Sequence, residues 1–219
     1  MSSLRKLGTV LVEALAAALI CLDPGHGTAP DVGRQVEPIG PGSRELKIKD
    51  GGGTAGEAPV ALAIARRTRA LLVARGYRVA LTRERDGYRG GNRERARFCN
   101  VRRAALMIRI HADGSTDRAR QGISTLVPAR RQGWTDDVHE ASRRAGALVQ
   151  RELRRATGAR DLGVVERSDL TGFNWADVPV VLAETGFLTN PEEGARLRTA
   201  VYQARVARGL AAAAAAFVS

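Results

Sequence analysis

A chain of 219 residues is long enough for one domain with a single substantial core, and with 44% hydrophobic but only 4% aromatic residues that core must be built from Ala, Val, Leu and Ile. The 35 Lys and Arg outnumber 23 Asp and Glu to leave a net charge of +12, which points to polyanionic surroundings without choosing among nucleic acid, anionic lipid and acidic wall polymer. No uncharged apolar run of about 18 residues is present, so no stable membrane insertion is expected, and two cysteines are too few for a disulfide scaffold.

At the amino terminus, Arg5 and Lys6 precede a mostly apolar stretch from Leu7 to Ala18, and Ala16-x-Ala18 resembles a signal-peptidase site. Glu13 counts against export by this route. Two readings of residues 1–18 therefore stay open: a signal peptide whose removal leaves a domain over 19–219, or an opening helix. The apolar run 19–23 predicts a strand that breaks into the turn Asp23-Pro24-Gly25. Residues 27–56 are rich in Gly and Pro and too long for an ordinary connection, so a partly mobile segment is expected. A helix is predicted over 57–75 with Gly76 as its stop, then a strand over 77–82, a helix over 92–103 and strands over 105–110 and 122–127. A helix over 137–157, a strand over 178–183 and a final helix over 192–217 complete the chain. Strands alternating with helices predict an α/β domain with a mostly parallel twisted sheet covered by helices on both faces.

Two of the three histidines sit just past apolar strands: His26 after Leu19-Ile20-Cys21-Leu22, and His111 after Ala105-Leu106-Met107-Ile108-Arg109-Ile110. A third apolar run, Val178 to Ala183, ends in Glu184. Open α/β sheets place their ligands beyond the carboxyl ends of the strands, so these three side chains describe a site. A catalytic zinc ion takes three protein ligands, commonly His and Glu, and leaves a fourth position open. His26 and His111 supply two, and Glu57 is the candidate for the third. The competing reading of Glu57 is a capping box, since Thr54-Ala55-Gly56-Glu57 fits that pattern. Pro59 weakens it, because proline is comfortable only in the first helical turn and moves the helix start past Thr54.

The ordered set Leu22-Asp23-Pro24-Gly25-His26-Gly27, Gly56-Glu57 leading into Leu62-Ala63-Ile64-Ala65, Thr82-Arg83, Arg95 to Asn100, Ile110-His111-Ala112-Asp113 and Val180 to Asn190 resembles the zinc-dependent N-acetylmuramoyl-L-alanine amidases of the type 3 class, over residues 19–217. That resemblance implies zinc held by His26, Glu57 and His111, with Glu184 as the catalytic carboxylate. It further implies a peptidoglycan or muropeptide substrate and an extracytoplasmic site of action. Some relatives insert an inhibitory helix after the strand corresponding to 122–127; only residues 128–137 fill that gap here, so an open site is expected. Residues 167–174 are expected to line the cleft. Arg109, where many relatives carry Ser, is expected to alternate away from the site.

Other residues attract plainer readings. His139 is expected to be a solvated surface residue and Asp23 to shape its turn by Asx-type hydrogen bonds. Asp113 either holds His111 as an outer partner or serves a turn. The stretch Gly51 to Gly56 lacks the Gly-Lys-Ser/Thr of a phosphate loop and suggests flexibility near the substrate. The arginines at 66, 67, 69, 75 and over 93–103 read mostly as solvated helix faces, with a joint field that attracts anionic cell-wall polymers. Cys21 and Cys99 are either buried free thiols or, in an exported protein, a disulfide tying the turn at His26 to the segment leading to His111. Two rival functions remain: a noncatalytic peptidoglycan-binding or regulatory domain on the same fold, and a nucleic-acid-binding protein. The second lacks any aromatic-interleaved stacking surface, and no nucleic-acid partner is expected. A monomer is expected.

Overall fold

The computed structural model describes residues 18–219, so most of the amino-terminal segment over which two readings stood open lies outside the described residues. The elements run β1 (Leu19–Pro24), α1 (Pro30–Gly33), β2 (Val36–Pro38), β3 (Leu46–Ile48), α2 (Glu57–Val73), β4 (Arg78–Leu81), α3 (Asn92–Asn100), β5 (Leu106–Asp113), β6 (Ile123–Pro128), α4 (His139–Thr157), β7 (Asp161–Arg167), α5 (Thr171–Asn174), β8 (Val180–Phe187), α6 (Pro191–Leu197) and α7 (Ala200–Val218). Six strands form one sheet in the order β4-β1-β5-β8-β6-β7. The four strands from β4 to β8 are mutually parallel, while β6 pairs antiparallel to β8 and carries β7 parallel to itself. The molecule is thus an α/β domain with a mostly parallel sheet between helical layers.

Each inner strand is apolar on both faces because each face is covered. Ile20, Leu22, Leu106, Ile108, Ile110, Val181 and Ala183 pack against α2, α4 and α7, where Ile64, Leu72, Val149, Leu153, Val206 and Leu210 line the opposing surface. The alternate residues Cys21, Met107, Val180 and Leu182 pack with Cys99 of α3 and Phe173 of α5. Helix α2 shows why such a chain becomes a surface helix: Val60, Ile64, Ala65, Thr68 and Leu72 recur at helical spacing and are buried, while Arg66 and Arg67 face solvent. Cys21 and Cys99 form a disulfide with Cα atoms 5.8 Å apart, so β1 is covalently tied to α3.

The segment 27–56 is built rather than loose. It forms α1 and the β2–β3 hairpin, and its inner carboxylate Glu37 accepts hydrogen bonds from the Asn92 and Arg93 amides at the start of α3. Trp175 Nε1 donates to Pro38 O and Asn174 Nδ2 to Ile39 O, which pins the hairpin tip. These partners lie more than 130 residues away in the chain, so local composition could not announce them. The edge strand β7 and the break between α6 and α7 were likewise absent from the sequence reading; at the latter, Thr199 caps α7 through the Tyr202 amide.

Candidate metal centre and catalytic carboxylate

His26 lies one residue past Gly25, whose amide donates to Ile110 O and so continues β1 alongside β5. Its backbone is left-handed, φ +56°, a conformation that costs a non-glycine residue roughly 1–3 kcal/mol and persists only where the surroundings dictate it. Two buried arginines do the dictating. Arg95 donates to Pro24 O at 2.9 Å and His26 O at 2.7 Å, and Arg83 donates to Pro24 O at 3.0 Å and Gly25 O at 2.8 Å. Gly25 itself is required by a close approach: a Cβ there would collide with the His111 imidazole.

Helix α2 starts at Glu57 behind Gly56, so it begins past Thr54 as Pro59 suggested. Both readings of Glu57 nevertheless describe part of it. Its Oε2 accepts the Thr54 amide at 2.8 Å, the reach-back half of a capping box, while Oε1 faces the histidines. That oxygen lies 3.2 Å from His26 Nε2 and 2.9 Å from His111 Nδ1. The two imidazoles meet edge to face with centroids 4.9 Å apart. One ligating atom from each of His26, Glu57 and His111 falls within 4.8 Å of the others, the grouping that a single metal ion requires. His111 Nε2 is buried without a hydrogen-bond partner among the described residues, which ordinarily costs about 1–3 kcal/mol. An orphaned imidazole nitrogen beside a second histidine and a carboxylate fits a divalent ion such as zinc, whose preferred donors these are.

Asp50 was missed. Its Oδ1 sits 2.6 Å from His26 Nδ1, and its Oδ2 accepts the Thr28 amide at 3.2 Å. A carboxylate on the outer nitrogen fixes the orientation of a ligating histidine. The sequence signal for it was weak: one Asp before a glycine run, 24 residues from His26. Burial opposes charge on His26, but Asp50 and Glu57 outweigh it and raise the imidazole to about 9 in the metal-free chain. Burial likewise works against the Glu57 and Asp50 carboxylates, yet their histidine partners hold both far below the usual range. His111 is lowered, with burial dominating over Glu57.

Glu184 stands directly beside His111 in the β5–β8 register, and Thr185 Oγ1 donates to His111 O at 2.8 Å. Its Oε2 is buried with no hydrogen-bond partner among the described residues. Burial first, then the nearby carboxylates of Asp113 and Glu57, push Glu184 well above the ordinary glutamate value. A carboxyl in that condition holds its proton more tightly than one in water.

Three plainer expectations are corrected. Asp23 makes no Asx turn: it is fully buried, paired with Arg95 and Arg109 at 2.8 Å each and bonded by the Thr82 hydroxyl. Arg109 shares a sheet face with His111, two residues on, and is spent on Asp23 and Asn92 beneath the site. His139 is buried, its Nδ1 against Pro128 O at 2.9 Å, because α4 begins there and folds it under the end of β6. Arg167, expected in the cleft, forks onto Asp169 and lies near enough to Asp113 and Glu184 to feel their charges, so its place there is not overturned. Asp113 uses its carboxylate on the Gly114 amide, the turn role.

Residues 20–216 match the protein family described as N-acetylmuramoyl-L-alanine amidase. The chain is 30% identical over 213 residues to N-acetylmuramoyl-L-alanine amidase Rv3717 of Mycobacterium tuberculosis, covering 94% of this chain and 88% of that protein. It is 28% identical to N-acetylmuramoyl-L-alanine amidase LytC of Bacillus subtilis, but spans only 36% of that longer protein. Among solved structures, the N-acetylmuramyl-L-alanine amidase Ami1 of Mycobacterium smegmatis superposes with a TM-score of 0.82 at 27% identity, covering 92% of this chain and 96% of that one.

Proposed function

The chain belongs to the N-acetylmuramoyl-L-alanine amidase family, and from that premise we propose that it is a zinc-dependent hydrolase of the amide joining N-acetylmuramic acid to the L-alanine of the peptidoglycan stem peptide, acting outside the cytoplasm. The observation that carries the reading is the meeting of His26, Glu57 and His111 with an orphaned imidazole nitrogen, beside the unpartnered carboxyl of Glu184. When bound, zinc would supply Lewis acidity and lower the pKa of water to ~7.

The chain's own residues do the rest. His26, Glu57 and His111 would hold the ion, and Asp50 fixes the His26 ring through its Nδ1. Glu184 removes a proton from the attacking water and, once protonated, hands it to the departing L-alanine amine as the amide C–N bond breaks. Its raised pKa suits a group that must both accept and release a proton. The disulfide between β1 and α3 supports action in an oxidising compartment, where such bonds persist.

Purified protein should contain zinc in one-to-one ratio and release stem peptides from peptidoglycan until treated with chelator. Glu184→Gln should lose turnover while keeping its metal, because the carboxylate moves protons and ligates nothing. Loss of metal in that variant would mean the wrong carboxylate has been assigned. Protein that binds sacculi yet takes up no zinc and releases no peptide would instead be a noncatalytic wall-binding domain on this fold.

A further inference from the structure

We propose that Arg83 is a positioning residue that sets the separation between the two segments carrying His26 and Glu57. The inference rests on the metal reading above. Arg83 Nη2 donates to Gly25 O at 2.8 Å and to Ala58 O at 2.8 Å. Gly25 immediately precedes His26, and Ala58 immediately follows Glu57. A single guanidinium nitrogen therefore holds the backbone on both sides of the gap an ion would bridge, before any ion is there.

The rest of the side chain fixes that nitrogen in place. Nε donates to Pro24 O at 3.0 Å and Nη1 pairs with Asp86 at 2.9 Å, while the side chain is only 1% exposed. Gly27 makes room for it: a Cβ at that position would sit 2.7 Å from Arg83 Cζ. Arg95 does a different job. Its backbone contacts, Pro24 O and His26 O, both lie on the His26 side, so it shapes the turn without reaching α2. A guanidinium presents five N–H groups in a rigid plane, and four of them are used here, on the turn before His26, on α2 and on Asp86. Lysine keeps the charge but offers three donors from one point, and cannot hold both segments in the same geometry.

Zinc affinity, measured by competition with a chromophoric chelator, should fall about 10–100-fold in Arg83→Lys, the range expected when an outer partner of a metal site is removed. The melting temperature of the metal-free protein is measured on the same samples. A lowered metal-free melting temperature with wild-type zinc affinity would overturn the proposal and leave Arg83 as fold support alone. If Arg83→Lys does not give folded protein, Arg83→Gln, whose amide can reach one segment but not both, is read in the same way. In a Glu57→Ala background the substitution should cost clearly less affinity, since the second spaced ligand is gone. An equal penalty in both backgrounds also overturns the proposal. Wild-type protein that takes up no zinc would remove the metal reading and this inference together, whereas normal uptake by both wild type and Arg83→Lys removes only the inference.

Discussion

Asp23 shows how much of the site is settled by a residue that never reaches the reacting atoms. Its carboxylate lies at the foot of the His26 turn, where burial alone would raise its pKa; Arg95 and Arg109 with the Thr82 hydroxyl outweigh burial and hold it far below the ordinary ~3.9. Removing one member of a buried ionic cluster leaves the others uncompensated, at about 3–5 kcal/mol. Asp23→Asn should therefore cost that much stability in urea unfolding at pH 7. The sign of the pH effect follows from the depressed native pKa: the stabilisation is complete above about pH 5, where the unfolded carboxyl is ionised, and is lost progressively as pH falls through and below about 4. Wild type should lose stability more steeply than the variant between pH 4 and pH 2. Parallel acid limbs would show that Asp23 is not the group responsible.

Among the elements, β1 and α3 are joined twice, by the Asp23–Arg95 pair and by the disulfide. A crosslink closing 78 residues constrains the unfolded chain and is worth about 2–5 kcal/mol. Reduction should lower the denaturant midpoint of the wild type by that much, and a Cys21→Ala/Cys99→Ala variant should show the lower midpoint with no response to reductant. No response in the wild type would mean the thiols are free. The strands that bring His26, His111 and Glu184 together were legible because apolar runs stopped by a turn or a polar residue leave few alternatives, though β5 and β8 run on through His111 and Glu184; Glu57 was legible because Pro59 fixed the helix start. Asp50 was not, and Arg83 and Arg95 stood out only as members of a family pattern, Arg95 lying in a stretch read as solvated helix face yet buried here; each gets its role from a partner 24 to 72 residues away. The hairpin of β2 and β3 escaped for a related reason: three-residue strands held by Trp175, Asn174 and Glu37 carry almost no periodic signal of their own.

For the whole molecule, a net charge of +12 would attract polyanions, the carboxylate and phosphate polymers of a cell wall among them, over long range. Screening shrinks its range from ~10 Å at 0.1 M salt to ~3 Å at 1 M. Binding to sacculi should fall steeply over that interval, while hydrolysis of a small soluble muropeptide, governed by contacts within the site, should change far less. Equal sensitivity of the two would return the arginines to the role of solvated helix faces. The topology has one more effect. His111 and Glu184 are neighbours across β5 and β8, yet residues 114–179 separate those strands in the chain, whereas the His26, Glu57 and His111 cluster is complete by residue 111. A chain is made from its amino terminus, so the β5–β8 pairing is the later of the two to become possible. A chain still being assembled is expected to gain its grip on an ion before its means of moving a proton, and to stay harmless to the cell making it until the last central strand has docked.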